Sequence, residues 1–139
     1  MGNSDSTIST SLFDSNETTS IVCFTSTKFD MNSGYQKEFA KRFGGIGWLR
    51  NQNVQNGKAL AVQDDLRFIY YLTLKVHNYD STDEATLVSA LGDMITHASQ
   101  NGVTKIALPA STSHWIPADV YKQKLDEAFN GTDITYTLH

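Results

Sequence analysis

The stretch Pro109-Ala-Ser-Thr-Ser-His-Trp-Ile116 gathers three hydroxyls, an imidazole and an indole into one short connection. It follows an apolar run and precedes Pro117, a residue suited to a first helical turn. Ser111, Thr112 and Ser113 can donate hydrogen bonds to a polar ligand, and Trp115 offers a face for stacking. A second stretch, Met31-Asn32-Ser33-Gly34, opens onto a helix, whose first amides favour an anion. Lys75 ends the nearly continuous apolar segment Arg67-Phe-Ile-Tyr-Tyr-Leu-Thr-Leu-Lys75. There its stem can cover apolar surface while the ammonium reaches out of the core.

Other chemistries find no support. Cys23 is the one cysteine, so an internal disulfide or a cysteine-based metal cluster is excluded. His77, His97, His114 and His139 lack ligand spacing, and no metal or cofactor is implied. Asp64-Asp65 reads as a solvated turn, and Asp80, Asp83 and Glu84 as helix-start acids favoured by the dipole. A net charge of −4 gives no attraction for phosphate backbones, so a nucleic-acid partner is not expected. Apolar runs are too short to cross a membrane, and the expected compartment is cytoplasmic or nuclear. Met1-Gly-Asn-Ser-Asp-Ser6 fits a short myristoylation pattern, but no basic cluster follows it as a second membrane signal. Residues 1–7 read as a polar, disordered start and residues 8–139 as one domain.

The elements that must position these residues follow from periodicity. Residues 8–13 and 20–25 read as strands joined by a polar turn at 14–19. Tyr35, Phe39 and Phe43 recur every fourth residue on a helix opened by a Ser33–Gln36 capping box and stopped by Gly44-Gly45. Residues 58–63 and 66–75 form an antiparallel pair about Asp64-Asp65, the second member central and covered on both faces. Ser81 with Glu84 opens the longest helix, carrying Leu87, Ala90, Leu91, Met94, Ile95 and Ala98 inward. A strand at 103–108, a helix from Pro117 to Phe129 and a strand through Ile134, Tyr136 and Leu138 complete the chain. Trp48, Tyr70 and Tyr71 are expected in the core. Alternating strands and helices predict a three-layer α/β/α fold with a mixed central sheet. Its ligand site belongs at the carboxyl ends of the strands, where loops 25–34, 76–80 and 109–116 compete.

Five segments resemble the macro domain of the terminal ADP-ribose glycohydrolase type. They are Lys41-Arg-Phe-Gly-Gly45, Arg67 through Lys75, Leu91-Gly-Asp-Met-Ile-Thr-His-Ala98, Asn101-Gly-Val-Thr-Lys-Ile-Ala-Leu-Pro109 and Thr132-Asp-Ile134, in the family's order along almost the whole chain. The resemblance implies an ADP-ribose site. Lys75 matches the lysine that attacks the distal ribose, and such an amine must lose its proton to act. Thr10-Ser11-Leu12-Phe13 matches the segment Gly-Asp-Leu-Phe that holds adenine, with Ser11 in place of the aspartate. Asn32, Ser33 and Gly34 match a phosphate loop that keeps one glycine here. Ser111, Thr112, Ser113 and Trp115 stand where the family has a two-glycine loop with a catalytic aspartate, and His114 is the substitute nearest that acid.

Three losses, at Ser11, in the glycines and in the acid, imply a catalytically degenerate domain. It would serve as a binding or protein-interaction module with weak residual affinity for ADP-ribose or ADP-ribosylated protein. The alternative is a hydrolase that removes ADP-ribose from modified proteins through Lys75.

Overall fold

A computed structural model describes residues 9–32, 34–77, 79–113 and 115–139. Five strands form one sheet: β1 (Ser20–Ser26), β2 (Ala59–Asp64), β3 (Arg67–Lys75), β4 (Lys105–Leu108) and β5 (Thr135–Leu138). Their order is β2-β3-β1-β4-β5. Only β2 runs antiparallel to its neighbour β3; the pairs β1–β3, β1–β4 and β4–β5 are parallel. Helices α1 (Gly34–Phe43), α2 (Ile46–Asn51), α3 (Glu84–Gln100) and α4 (Ala118–Phe129) cover it. The predicted three-layer, mixed-sheet architecture is the one observed. None of the described helices is long and apolar enough to cross a membrane.

Strand alternation sorts the core into two halves. Val22 and Phe24 of β1, with Tyr70, Leu72 and Leu74 of β3, face Leu87, Leu91 and Met94 of α3 and Tyr121, Leu125 and Phe129 of α4. Ile21, Cys23, Ile69 and Tyr71 point the other way, toward Phe39 of α1 and Leu49 of α2. Burial on both faces explains why β3 reads as an unbroken apolar run. Burial also pushes the Cys23 thiol well above its ordinary range, which leaves it an inert core group.

The first predicted strand is not a strand. Thr10–Leu12 is a 3-10 turn whose cap, Ser9, accepts from the Ser11 amide at 3.3 Å. Hydroxyl side chains compete for backbone amides here, and Phe13 gains more by inserting among Tyr35, Phe39 and Phe43. Strand β1 pairs with β3 and β4 instead. The long helix is capped by Asp83, not Ser81: its carboxylate accepts from the Thr86 amide at 2.9 Å. The Thr82 hydroxyl donates to the Leu74 carbonyl, which pins the chain so that Asp83 meets the open helix end. Trp48 is 53% exposed because the six-residue α2 turns Leu49, its neighbour, toward the core. Strands β4 and β5 start later than predicted, at Lys105 and Thr135. The expectations for residues 1–8 and the Ser33 cap lie outside the described residues.

Candidate active site

Because β1, β3 and β4 run parallel, their carboxyl ends deliver loops 27–33, 76–83 and 109–117 to one edge of the sheet. Loop 27–33 is tied to β3: the Thr27 amide donates to the Lys75 carbonyl at 2.8 Å and its hydroxyl to the Val76 carbonyl at 3.1 Å. Phe29 and Met31 both have positive φ, 50° and 51°, and both are buried. A bulky residue rarely adopts that conformation. Phe29 is held in it by packing edge-on to Tyr71, at 6.0 Å, and by Arg50, which donates to the Lys28 and Phe29 carbonyls at 3.0 Å each. Gly34, at φ 52°, then opens α1. From that helix the Gln36 side chain donates from Nε2 to the Phe24 carbonyl at 3.2 Å, fastening the helix start to the end of β1.

Loop 109–117 is organised by a buried hydroxyl. Thr112 Oγ1 accepts from the Ile116 amide at 2.9 Å and lies 3.2 Å from the Ile116 carbonyl, to which it donates. The Tyr121 hydroxyl donates to the Pro109 carbonyl at 2.6 Å. Ser113 adopts φ 57° with no glycine, its amide resting on the Ser111 hydroxyl at 3.3 Å. Five non-glycine residues among those described have positive φ. Asn53 and Asp65 are residue types that tolerate it, and the other three lie on these two loops. Backbone held this far from its preferred state concentrates where a fold presents polar groups to a ligand.

Lys75 ends β3 with 5% of its surface exposed. Its Nζ donates to the Asp80 carbonyl at 3.1 Å and lies 3.7 Å from the centre of the Trp115 ring. Burial lowers the amine below the ordinary lysine range, and the charge of Asp80 opposes that shift. Between loop 109–117 and the start of α1 a cavity of about 20 Å3, room for one water, is lined by Phe24, Tyr35, Gln36, Pro109, Ser111, Thr112, Ser113 and Trp115. On the loop after Lys75, Asp80 Oδ2 accepts from the His77 amide at 2.9 Å and lies 3.3 Å from His77 Nδ1.

The chain is 30% identical over 133 residues to the ADP-ribose glycohydrolase OARD1 of Bos taurus, an alignment spanning 92% of this chain and 86% of that protein. The chain belongs to the macro domain family. Identity to the human protein of the same name is 29% over the same shares. No protein-family model matches. Among solved structures, the macrodomains of Mycobacterium tuberculosis and Thermus aquaticus DarG superpose with TM-scores of 0.79 at 19% identity. The first covers 89% of this chain and 90% of its own, the second 91% of each. Thermosipho africanus DarTG in complex with ADP-ribose also reaches 0.79, at 12% identity, over 91% of this chain and 39% of its own.

Within this macro domain the predicted site residues divide. Ser111, Thr112, Ser113 and Trp115 share the cavity wall, and Trp115 carries contact to Lys75. Asn32 is exposed beside Gly34 at the start of α1. Ser11 stands apart, its hydroxyl 2.9 Å from His139 Nδ1 and 2.7 Å from Ser9 Oγ. Leu12 is fully buried under α1, and its amide turns to the Ser9 carbonyl at 3.4 Å. Ser33 and His114 lie outside the described residues. No group of three or more potential metal ligands occurs among the described residues.

Sequence reasoning passed over Tyr35 and Gln36 as helix-face residues, yet both line the cavity. The Tyr35 hydroxyl accepts from the Ser9 amide and donates to the His139 carbonyl, each at 2.9 Å. His77 and Asp80 entered it only as a histidine without ligand spacing and as a helix-start acid, with no role beside Lys75. The signal available was a histidine and an aspartate three residues apart, immediately after a buried lysine.

Proposed function

We propose that this macro domain removes ADP-ribose from modified protein, binding the diphosphate between loops 27–33 and 109–117 and attacking the distal ribose with Lys75. The observation that carries the reading is the Lys75 amine. It is buried at the end of the central strand pair, its proton is weakened by desolvation, and it faces the loop that bears the cavity. A lysine serves as a nucleophile only in its neutral form, and desolvation is one way to populate that form near neutral pH. The expected loss of amide-presenting turns with the glycines also weakens as an argument against activity. Ser113, Phe29 and Met31 hold left-handed backbone without glycine. The likeness to proteins named ADP-ribose glycohydrolase supports the substrate class.

A second reading, a reader of ADP-ribose without turnover, is favoured by the Trp115 ring lying over Nζ and by the cavity of about 20 Å3 behind it. A positive charge over an aromatic face is stabilised, which works against deprotonation, and the ring must move before a ribose can reach the amine.

One experiment separates the two. Protein carrying ADP-ribose on glutamate is incubated with the wild-type chain and with Lys75→Ala, and released ADP-ribose is quantified by mass spectrometry. Release by the wild type that Lys75→Ala abolishes is the expected result. Micromolar calorimetric binding of ADP-ribose without release would establish the reader and overturn the hydrolase.

A further inference from the structure

We propose that His77, oriented by Asp80, is the proton carrier that works with Lys75. The inference rests on the hydrolase reading above. Loop 109–117 has no carboxylate to take the role, whereas Asp80 joins an imidazole to the lysine through its own carboxylate and carbonyl. Asp80 touches both partners: its carbonyl accepts from Lys75 Nζ at 3.1 Å, and its carboxylate accepts from the His77 amide at 2.9 Å and sits 3.3 Å from Nδ1. The Asp80 amide donates to the His77 carbonyl at 3.0 Å, which ties the residue that meets Lys75 to the residue that carries the imidazole.

A carboxylate at Nδ1 assigns that nitrogen the proton and leaves Nε2 as the atom that exchanges one, the arrangement general acid–base catalysis uses. Tyr79 stacks on the imidazole, rings 4.9 Å apart and 16° from parallel, covering one face while the edge stays open. The His77 side chain is 39% exposed, open to exchange with water.

The proton route balances. Lys75 Nζ bonds to the anomeric carbon as the C–O bond to the protein's carboxylate breaks, and the carboxylate leaves with the electron pair. The nitrogen, now carrying an extra proton, passes it to His77 Nε2. The imidazolium returns it to the ring oxygen as the sugar opens and a C=N bond forms. Water adds to that carbon, and Nε2 moves its proton to the nitrogen, which departs as the Lys75 amine. The proton left on the new sugar hydroxyl, the one the overall hydrolysis releases, goes to solvent through Nε2.

The test uses the same glutamate-linked substrate with wild type, Lys75→Ala, His77→Ala and Asp80→Asn. Thermal melts confirm folding, and added imidazole serves as a rescue arm. His77→Ala is expected to lower kcat about 100-fold or more, leave KM and ADP-ribose binding unchanged, and recover in part with imidazole. Asp80→Asn is expected to fall between His77→Ala and wild type. A His77→Ala variant within threefold of wild type, beside an inactive Lys75→Ala, overturns the proposal and leaves the hydrolase reading standing. A folded His77→Ala that loses activity through KM alone, without imidazole rescue, also overturns it. No release by the wild type overturns both.

Discussion

The two loops that frame the cleft reach the same end by opposite means. Loop 27–33 is anchored by bulk: Phe29 is sunk against Tyr71 and an arginine from α2 grips the carbonyls around it. Loop 109–117 is anchored by hydroxyls: Thr112 folded back on Ile116, and Tyr121 on the Pro109 carbonyl. Both carry non-glycine residues at positive φ. A loop can therefore hold a left-handed turn without glycine, provided a buried group holds the neighbouring backbone. Glycine lowers the cost of such a turn without being the source of its shape.

If bulk anchors the first loop, Phe29→Ala should be the most damaging change. The loss of a fully buried aromatic is expected to cost about 3–5 kcal/mol in urea unfolding, with weaker ADP-ribose binding in what remains folded. A cost near 1 kcal/mol would mean that Arg50 alone holds the loop. For the second loop, Thr112→Val keeps the shape and removes the hydroxyl, leaving a buried Ile116 amide without its acceptor. About 1–3 kcal/mol should be lost, and hydrogen exchange at Ile116 should quicken. Unchanged exchange there would show that the loop is held by something other than Thr112. The smallest effect should have the opposite sign. Ser113→Gly removes the left-handed strain and is expected to raise stability by less than about 1 kcal/mol in the same unfolding assay. A loss would show that the Ser113 side chain contributes contacts outweighing its backbone strain.

The architecture was legible because its strongest signals were long. The apolar run of β3 and the stripe Leu87, Leu91, Met94 on α3 announce burial on two faces and on one, as found. Shorter signals misled. Residues 8–13 mix apolar and hydroxyl side chains in a way that suits a strand, yet a 3-10 turn satisfies their backbone locally and lets Phe13 dock. Trp48 carries the larger apolar side chain of its helix, but with six residues the helix presents only one strongly inward position, and Leu49 takes it. In the site, the strand-to-helix loops could be named from topology alone. The link from Lys75 through Asp80 to His77 could not, since it depends on a turn between His77 and Asp80 whose closure leaves no periodic trace. Nor could the part played by Tyr35, whose ring belongs to the helix face and whose hydroxyl belongs to the cleft.

The middle position of β1 has a consequence for the order in which the protein can form. Its residue Ile21 pairs with Ile69 on one side and with Ala107 on the other, so the first strand made cannot be completed until β4 has followed it. All seven of its residues are buried in the finished sheet. During synthesis they must wait, first for β3 and then for β4, before both edges are covered. Closing such long loops is slow, and an uncovered apolar strand invites pairing with other chains in the interval. The hairpin of β2 and β3, joined by a two-residue turn, can form without that delay and offers β1 its first template.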